Sequence, residues 1–267
     1  MPRKYHLRSR YSQNILNHAR LFKPYVFGDN QRATLDRDGH LLFPELLTQD
    51  ACTHLETALA DVQRQSEEGP EDQFPTRFAA EYNSHLESLI AHPQLLELAR
   101  QVLGPDIRYD HCVTLNRSAG NGGSNWHTHE YSDDDTNLGF IRIFFYVNGF
   151  ETEDGALKVV PGSHHFRDPN IRADNDQDLI EQWLHGRLHP TTGYPMRIEQ
   201  LTAPVGTVVL MWTHSLHGVT PRKQSSATRW TVVFAYRNPG RPSAARWINP
   251  NFEDKKIPGT EGLMGLY

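Results

Sequence analysis

Cysteine is nearly absent from this chain. Cys52 and Cys112 are the only two in 267 residues, too few for a disulfide framework or a thiolate zinc site, and such usage suits a reducing compartment. Long apolar runs are missing too: none approaches the ~20 residues a membrane span needs, and no signal-peptide core is visible. Charge of one sign is not in excess, since 27 Lys and Arg against 32 Asp and Glu leave a net charge of −5. Bulk charge therefore indicates neither a nucleic acid nor a membrane as partner. Internal repeats are lacking as well. These absences leave a soluble, cytoplasmic protein of one large domain, long enough to bury a substantial core.

The local exception is the start. No acid precedes Asp29, while several Lys and Arg do. Residues 1–34 read as a basic, solvated arm; a transit peptide shares this bias, but the large aromatics argue against it. Beyond the arm, "GHLLFPELL" reads as a short apolar strand or loop, and a helix begins near Thr48 or Gln49, with Leu55, Ala58, Leu59 and Val62 at helical spacing. A second helix is predicted over about 84–103, stopped by Gly104–Pro105.

From about residue 106 the period changes to two. "IRYDHCVTLNRS", "LGFIRIFFYVNGF", "GALKVVPGS", "APVGTVVLMWTHSLHGV" and "RWTVVFAYRN" are strand candidates separated by Gly and Pro turns. Such a succession without alternating helices predicts an antiparallel sandwich or barrel, so the fold class is mainly β with N-terminal helices. The domain is expected over 35–238, followed by an irregular tail over 239–267. A polar insertion at about 166–200 reads as a lid or substrate-facing loop. Trp126, Trp212 and Trp230 read as core fillers.

Fifteen histidines prove little by number, so position must decide. In an extended "NWHTH", His127 and His129 project from one strand face and can grip a single ion. His217 ends one apolar strand and Arg229 begins the next. A guanidinium there would be expensive without an anionic partner, and it grips a carboxylate with two parallel bonds.

Together, "WHTH", "EDGALKVVPGSHHF", "GTVVLMWTHSLHG" and the downstream Arg229 resemble the phytanoyl-CoA dioxygenase family, and "LDRDGHLLFPELLTQDACTHLETAL" is similar to its opening. The likeness extends over about 35–237. It implies a double-stranded β-helix (a jelly-roll, cupin-like barrel) and a non-haem iron(II), 2-oxoglutarate-dependent oxygenase that uses O2 on a small-molecule substrate. It also implies an iron site built from a His-x-Asp pair and a distal His, with an Arg for the far carboxylate of 2-oxoglutarate.

Carried over, His127 is the first ligand, His217 the distal one and Arg229 the carboxylate anchor. His214 rivals His217, but Gly218 directly after His217 fits the family better. The departure is His129, which stands where the family has aspartate. Either His129 is the third ligand, or an acid among Glu130 and Asp133, Asp134 and Asp135 replaces it, or the site has lost iron or uses another ion. A neutral nitrogen in place of an anionic oxygen raises the charge of the site by one unit and weakens its preference for iron over zinc or copper. Asn116 is read as a contact to 2-oxoglutarate and Arg142 as a contact to substrate, both on strands flanking the pocket; His164 and His165 are read as turn residues. Two rivals stand beside the dioxygenase: a 2-oxoglutarate-independent three-histidine iron oxygenase, and a barrel that has lost catalysis and binds a ligand. Oligomeric state is not legible.

Overall fold

A computed structural model describes residues 19–129, 138–168, 171–240 and 247–265 of the chain. Helix α1 (Asp29–Asp38) ends at Gly39, whose φ of 85° lets its N–H bond back to Leu35 O and turn the chain into β1 (His40–Phe43). Any side chain at Gly39 would strike the His164 ring, since a Cβ there lies 2.5 Å from Nδ1. Helix α2 (Gln49–Glu68) starts where the sequence places it, because the Thr48 hydroxyl accepts the Ala51 N–H at 3.1 Å.

Two findings differ from expectation in this half. The second helix is interrupted: after the short α3 (Ala79–Tyr82) come α4 (Ser84–Leu89) and α5 (Pro93–Leu103). Pro93 lacks an N–H and forces His92 out of the helical region, to φ −62° and ψ 125°, so the helix restarts with Pro at its first position. Residues 19–34, assigned above to a solvated arm, are part of the fold. Leu21 and Phe22 are buried, Phe22 bridges Leu47, and Leu21 N–H donates to Gln94 Oε1 at 2.7 Å. Burying a Phe stabilises by roughly 1.5–3 kcal/mol, which offsets part of the cost of ordering the segment.

The β half contains β2 (Arg108–Thr114), β3 (Ser124–His127), β4 (Phe140–Tyr146), β5 (Leu157–Val159), β6 (Arg172–Ala173), helix α6 (Asp176–Leu179), β7 (Glu199–Gln200), β8 (Thr207–Trp212), β9 (His217–Val219), β10 (Thr231–Arg237) and helix α7 (Pro250–Glu253). They form two antiparallel five-stranded sheets, a major one ordered β1-β8-β4-β10-β2 and a minor one ordered β6-β3-β9-β5-β7. This is the jelly-roll barrel. Alternation sorts the major sheet: Ile141, Ile143, Phe145, Leu210 and Phe234 face the helices, while Phe144, Tyr146, Val209, Met211 and Val233 face Leu157, Val159 and Val219 of the minor sheet.

The insertion lies on the other side of the minor sheet. Leu179, Trp183, Leu184 and Met196 pack with Trp126, Val160 and Leu216, which point away from the barrel interior. The apolar residues of its described part thus find a partner in the sheet's outer face, while Arg172 of β6 lies opposite His127. Trp126 is fully buried in this outer cluster, whereas Trp212 and Trp230 lie partly buried against the helical core. Among the described residues no helix is long and apolar enough to cross a membrane. The tail returns to the body, with Phe252, Ile257 and Leu263 buried and Tyr109 N–H donating to Leu263 O at 2.8 Å.

Candidate metal centre in the barrel

Strand β3 places His127 toward the barrel interior and Trp126 away from it, and β9 does the same for His217 and Gly218. In the antiparallel register His127 is directly opposite His217. Gly218 permits the close packing on the outer face, since a Cβ there would meet Ser124 O at 3.2 Å and the Trp126 ring at 3.4 Å. His129 continues on the inner side. Ring centroids are 4.3 Å apart for His127–His217, 4.8 Å for His127–His129 and 5.1 Å for His129–His217. One nitrogen from each ring lies within 4.8 Å of the others.

The other nitrogens fix the tautomers. His127 Nδ1 donates to Asn125 O and His217 Nδ1 to Ser215 O, each at 2.8 Å, leaving both Nε2 atoms as lone-pair donors. A carbonyl partner of this kind orients a ligating imidazole and raises its basicity. Burial, reinforced by the Arg142 charge, holds His129 well below the ordinary imidazole range; burial and then His127 do so for His217, and burial lowers His127. All three rings are therefore neutral near pH 7, as ligands must be. The donor set suits iron, zinc or copper equally.

His214 is not part of the group. It lies in the turn before β9, 6.2 Å from His164, and its ring is pushed down to about 3, chiefly by burial. His164 and His165 donate to the carbonyls of Asp36 and Arg37 at the end of α1, at 3.0 and 3.3 Å, bracing the turn at Ser163–His165. Glu130 and Asp133–Asp135 lie outside the described residues.

Arg229 is 1% exposed at the other pole of the barrel. It donates to Gly155 O and sits over the rings of Tyr146 and Phe150 at 5.3 and 5.7 Å. Among the described residues no carboxylate forms an ion pair with it; nearby Asp154 is engaged by Arg222, Ser226 and the Lys223 N–H. Burial lowers its guanidinium to about 10, so it stays cationic. Asn116 is held elsewhere: its Oδ1 accepts from Thr231 N at 3.2 Å and its Nδ2 donates to Gln63 of α2 at 3.4 Å. Arg142, on β4, is 2% exposed, and its charge acts on all three histidines.

Sequence reasoning missed a neighbouring cluster. A bulge between Ala235 and Tyr236 in the β10–β2 ladder leaves room for Asp110 beside His111, both fully buried. His111 Nδ1 donates to Asp110 at 2.6 Å, and Arg237 lies 3.9 Å from the same carboxylate. Trp247 of the tail covers the His111 ring at 5.2 Å. Two adjacent polar residues breaking the alternation of "IRYDHCVT" were the available signal.

Clefts of about 460 and 620 Å³ flank the insertion, the first lined by Arg37, Asp38 and His189, the second by Ile180, Leu184 and Leu188; neither is lined by the three histidines.

Among characterised proteins, the chain is 28% identical over 158 residues to a probable alpha-ketoglutarate-dependent hypophosphite dioxygenase of Stutzerimonas stutzeri, a match spanning 57% of this chain and only about half, 53%, of that protein. It is 24% identical over 243 residues to L-proline trans-4-hydroxylase of Streptomyces griseoviridis, covering 81% of this chain and 88% of that one. The crystal structure of EctD from S. alaskensis with 2-oxoglutarate and 5-hydroxyectoine shares the fold, with a TM-score of 0.64 at 18% identity over 85% of this chain and 83% of EctD. Residues 35–230 match the family described as Phytanoyl-CoA dioxygenase (PhyH). With its jelly-roll barrel and three inward histidines within that stretch, the chain belongs to the phytanoyl-CoA dioxygenase family.

Proposed function

We propose that the protein is a non-haem iron(II), 2-oxoglutarate-dependent dioxygenase that hydroxylates or otherwise oxidises a small organic substrate. The observation that carries this reading is the pairing of two poles in one barrel: three neutral imidazoles converging on a point, and a buried guanidinium over Tyr146 with carbonyls as its hydrogen-bond acceptors. Tyr146 is four residues from Arg142 on β4, a rise of ~13 Å, so the poles are separated along the strand.

In this reading His127, His129 and His217 hold the metal through the nitrogens not bonded to carbonyls, and Arg229 receives the far carboxylate of 2-oxoglutarate. Iron, when bound, activates O2 at the expense of 2-oxoglutarate, which leaves as succinate and carbon dioxide. The chain's own contribution is orientation. The Asn125 and Ser215 carbonyls fix the ligand rings, Phe144 and Val233 wall the chamber between the poles, and Arg229 sets the direction in which a dicarboxylate lies. The Asn116 amide, engaged at both ends, braces the β10 edge in this scheme. A cytoplasmic location is consistent with Cys52 and Cys112, both free and buried.

His129 gives weight to one rival, a three-histidine iron oxygenase that does not use 2-oxoglutarate. The test is metal analysis followed by turnover of 2-oxoglutarate. Iron-dependent succinate formation, lost in Arg229→Gln with iron retained, is expected. Iron bound without any 2-oxoglutarate binding would favour the rival, and intact biological activity in His127→Ala would favour a binding barrel.

A further inference from the structure

Arg142 is a buried cation whose guanidinium is incompletely satisfied. It occupies an inward position of β4, between Met211 of β8 and Ala235 of β10. Its Nε and Nη2 are buried and make no hydrogen bond among the described residues. The carboxylate whose charge acts on it is Asp110, but Asp110 already accepts from His111 at 2.6 Å and lies 3.9 Å from Arg237. Among the described residues Asp110 is thus the carboxylate that His111, Arg237 and Arg142 all face. The neutral histidines add none of the negative charge that an aspartate at 129 would contribute, and a divalent metal would add two positive charges. A buried cation with unmet donors is costly unless an anion completes it.

We propose that Arg142 anchors the substrate through an oxyanion, making this a site for small anionic substrates (carboxylates, phosphonates or related oxoacids) held beside the metal. This rests on the reading above, in which Arg229 serves the cosubstrate at the opposite pole and leaves Arg142 for another anion. The planar guanidinium presents Nε–H and Nη2–H side by side, the pair that binds two oxygens of one carboxylate or phosphonate. Met211 and Ala235 flank that fork with apolar surface, so an oxyanion there would be partly desolvated and its attraction to Arg142 strengthened.

The experiment is calorimetric titration of the anaerobic Fe(II) protein, with and without saturating 2-oxoglutarate, using acetate, propionate and methylphosphonate against the neutral isosteres acetamide and propionamide. Oxyanions should bind in the presence of 2-oxoglutarate and the amides should not; the carboxylate and phosphonate arms identify the preferred oxoacid. Arg142→Gln should weaken oxyanion binding at least about tenfold with 2-oxoglutarate affinity unchanged, and Arg142→Lys should recover part of the loss. Amides binding as tightly as oxyanions in the unmodified protein would overturn the proposal without any variant. So would an Arg142→Gln protein that loses 2-oxoglutarate and keeps the oxyanions, which would assign Arg142 to the cosubstrate. Oxyanion binding that depends on Arg142 in a protein with no affinity for 2-oxoglutarate would sustain the anion site while removing the dioxygenase reading.

Discussion

The barrel carries two groups of histidines that do opposite work. In one, His127, His129 and His217 converge inside, with Nδ1 of His127 and His217 spent on local carbonyls and Nε2 left open. In the other, His164, His165 and His214 gather around the turns near the end of α1, and His164 and His165 spend Nε2 on its carbonyls. Both contain strongly buried imidazoles held neutral. The difference lies in which nitrogen faces a partner and which side of a strand bears the ring. Residue type and burial do not make a metal site; a shared focus of free lone pairs does.

The sharpest break in this comparison is a pair of alanine variants. His127→Ala or His217→Ala should weaken iron binding by at least about a hundredfold and abolish turnover, since loss of a ligand exceeds the 10–100-fold typical of outer partners. His164→Ala should leave metal content unchanged and lower stability by ~1–3 kcal/mol through the lost bond to α1. Elemental analysis and chemical denaturation separate the two. Equal iron loss from both groups would erase the distinction.

A second variant sharpens the inner group. His129→Asp supplies the carboxylate found elsewhere in the family and lowers the charge of the site by one unit. Competitive loading should move its preference toward iron and away from copper and zinc, with three-point ligation kept. Unchanged preference would mean that His129 does not coordinate.

The outer group should declare itself through pH. Burial depresses His164 from 6.5 to about 4 and His214 to about 3, so the unfolded chain binds protons there before the folded one does. Their contribution is therefore intact above pH 6.5 and is lost progressively as pH falls toward about 4 and then about 3. The loss is on the order of 3–5 kcal/mol per group. The thermal midpoint should drop over this window, and His214→Gln should flatten the slope. A slope unaltered in that variant would assign the acid sensitivity elsewhere.

Much of the site was legible before folding was known. A strand's period of two puts His127 and His129 on one side, and that signal is local; the apolar run ending in "HSLHG" offers both His214 and His217, and it is the family resemblance, through Gly218, that favours His217. The break at Pro93 is equally local, since a proline bars the residue before it from the helix, but the longer periodic run around it conceals the break. The Asp110–His111–Arg237 cluster was hidden because a bulge is a property of two paired strands. The packing of the insertion was hidden because its apolar residues can be matched to the outer face only through Trp126 and Leu216, which point there in the folded sheet.

The sequence by itself determined the family and the β-rich architecture after residue 106, and nominated His127, His129, His217 and Arg229 as candidates to hold a metal and a carboxylate, since each depends on residue type and short-range periodicity. Only the tertiary structure decided that the rings of His127, His129 and His217 meet while His214 stands apart, and that Arg142 is left with donors unmet among the described residues. Those facts depend on antiparallel register and on what every neighbouring strand has already taken, which no single segment of chain encodes.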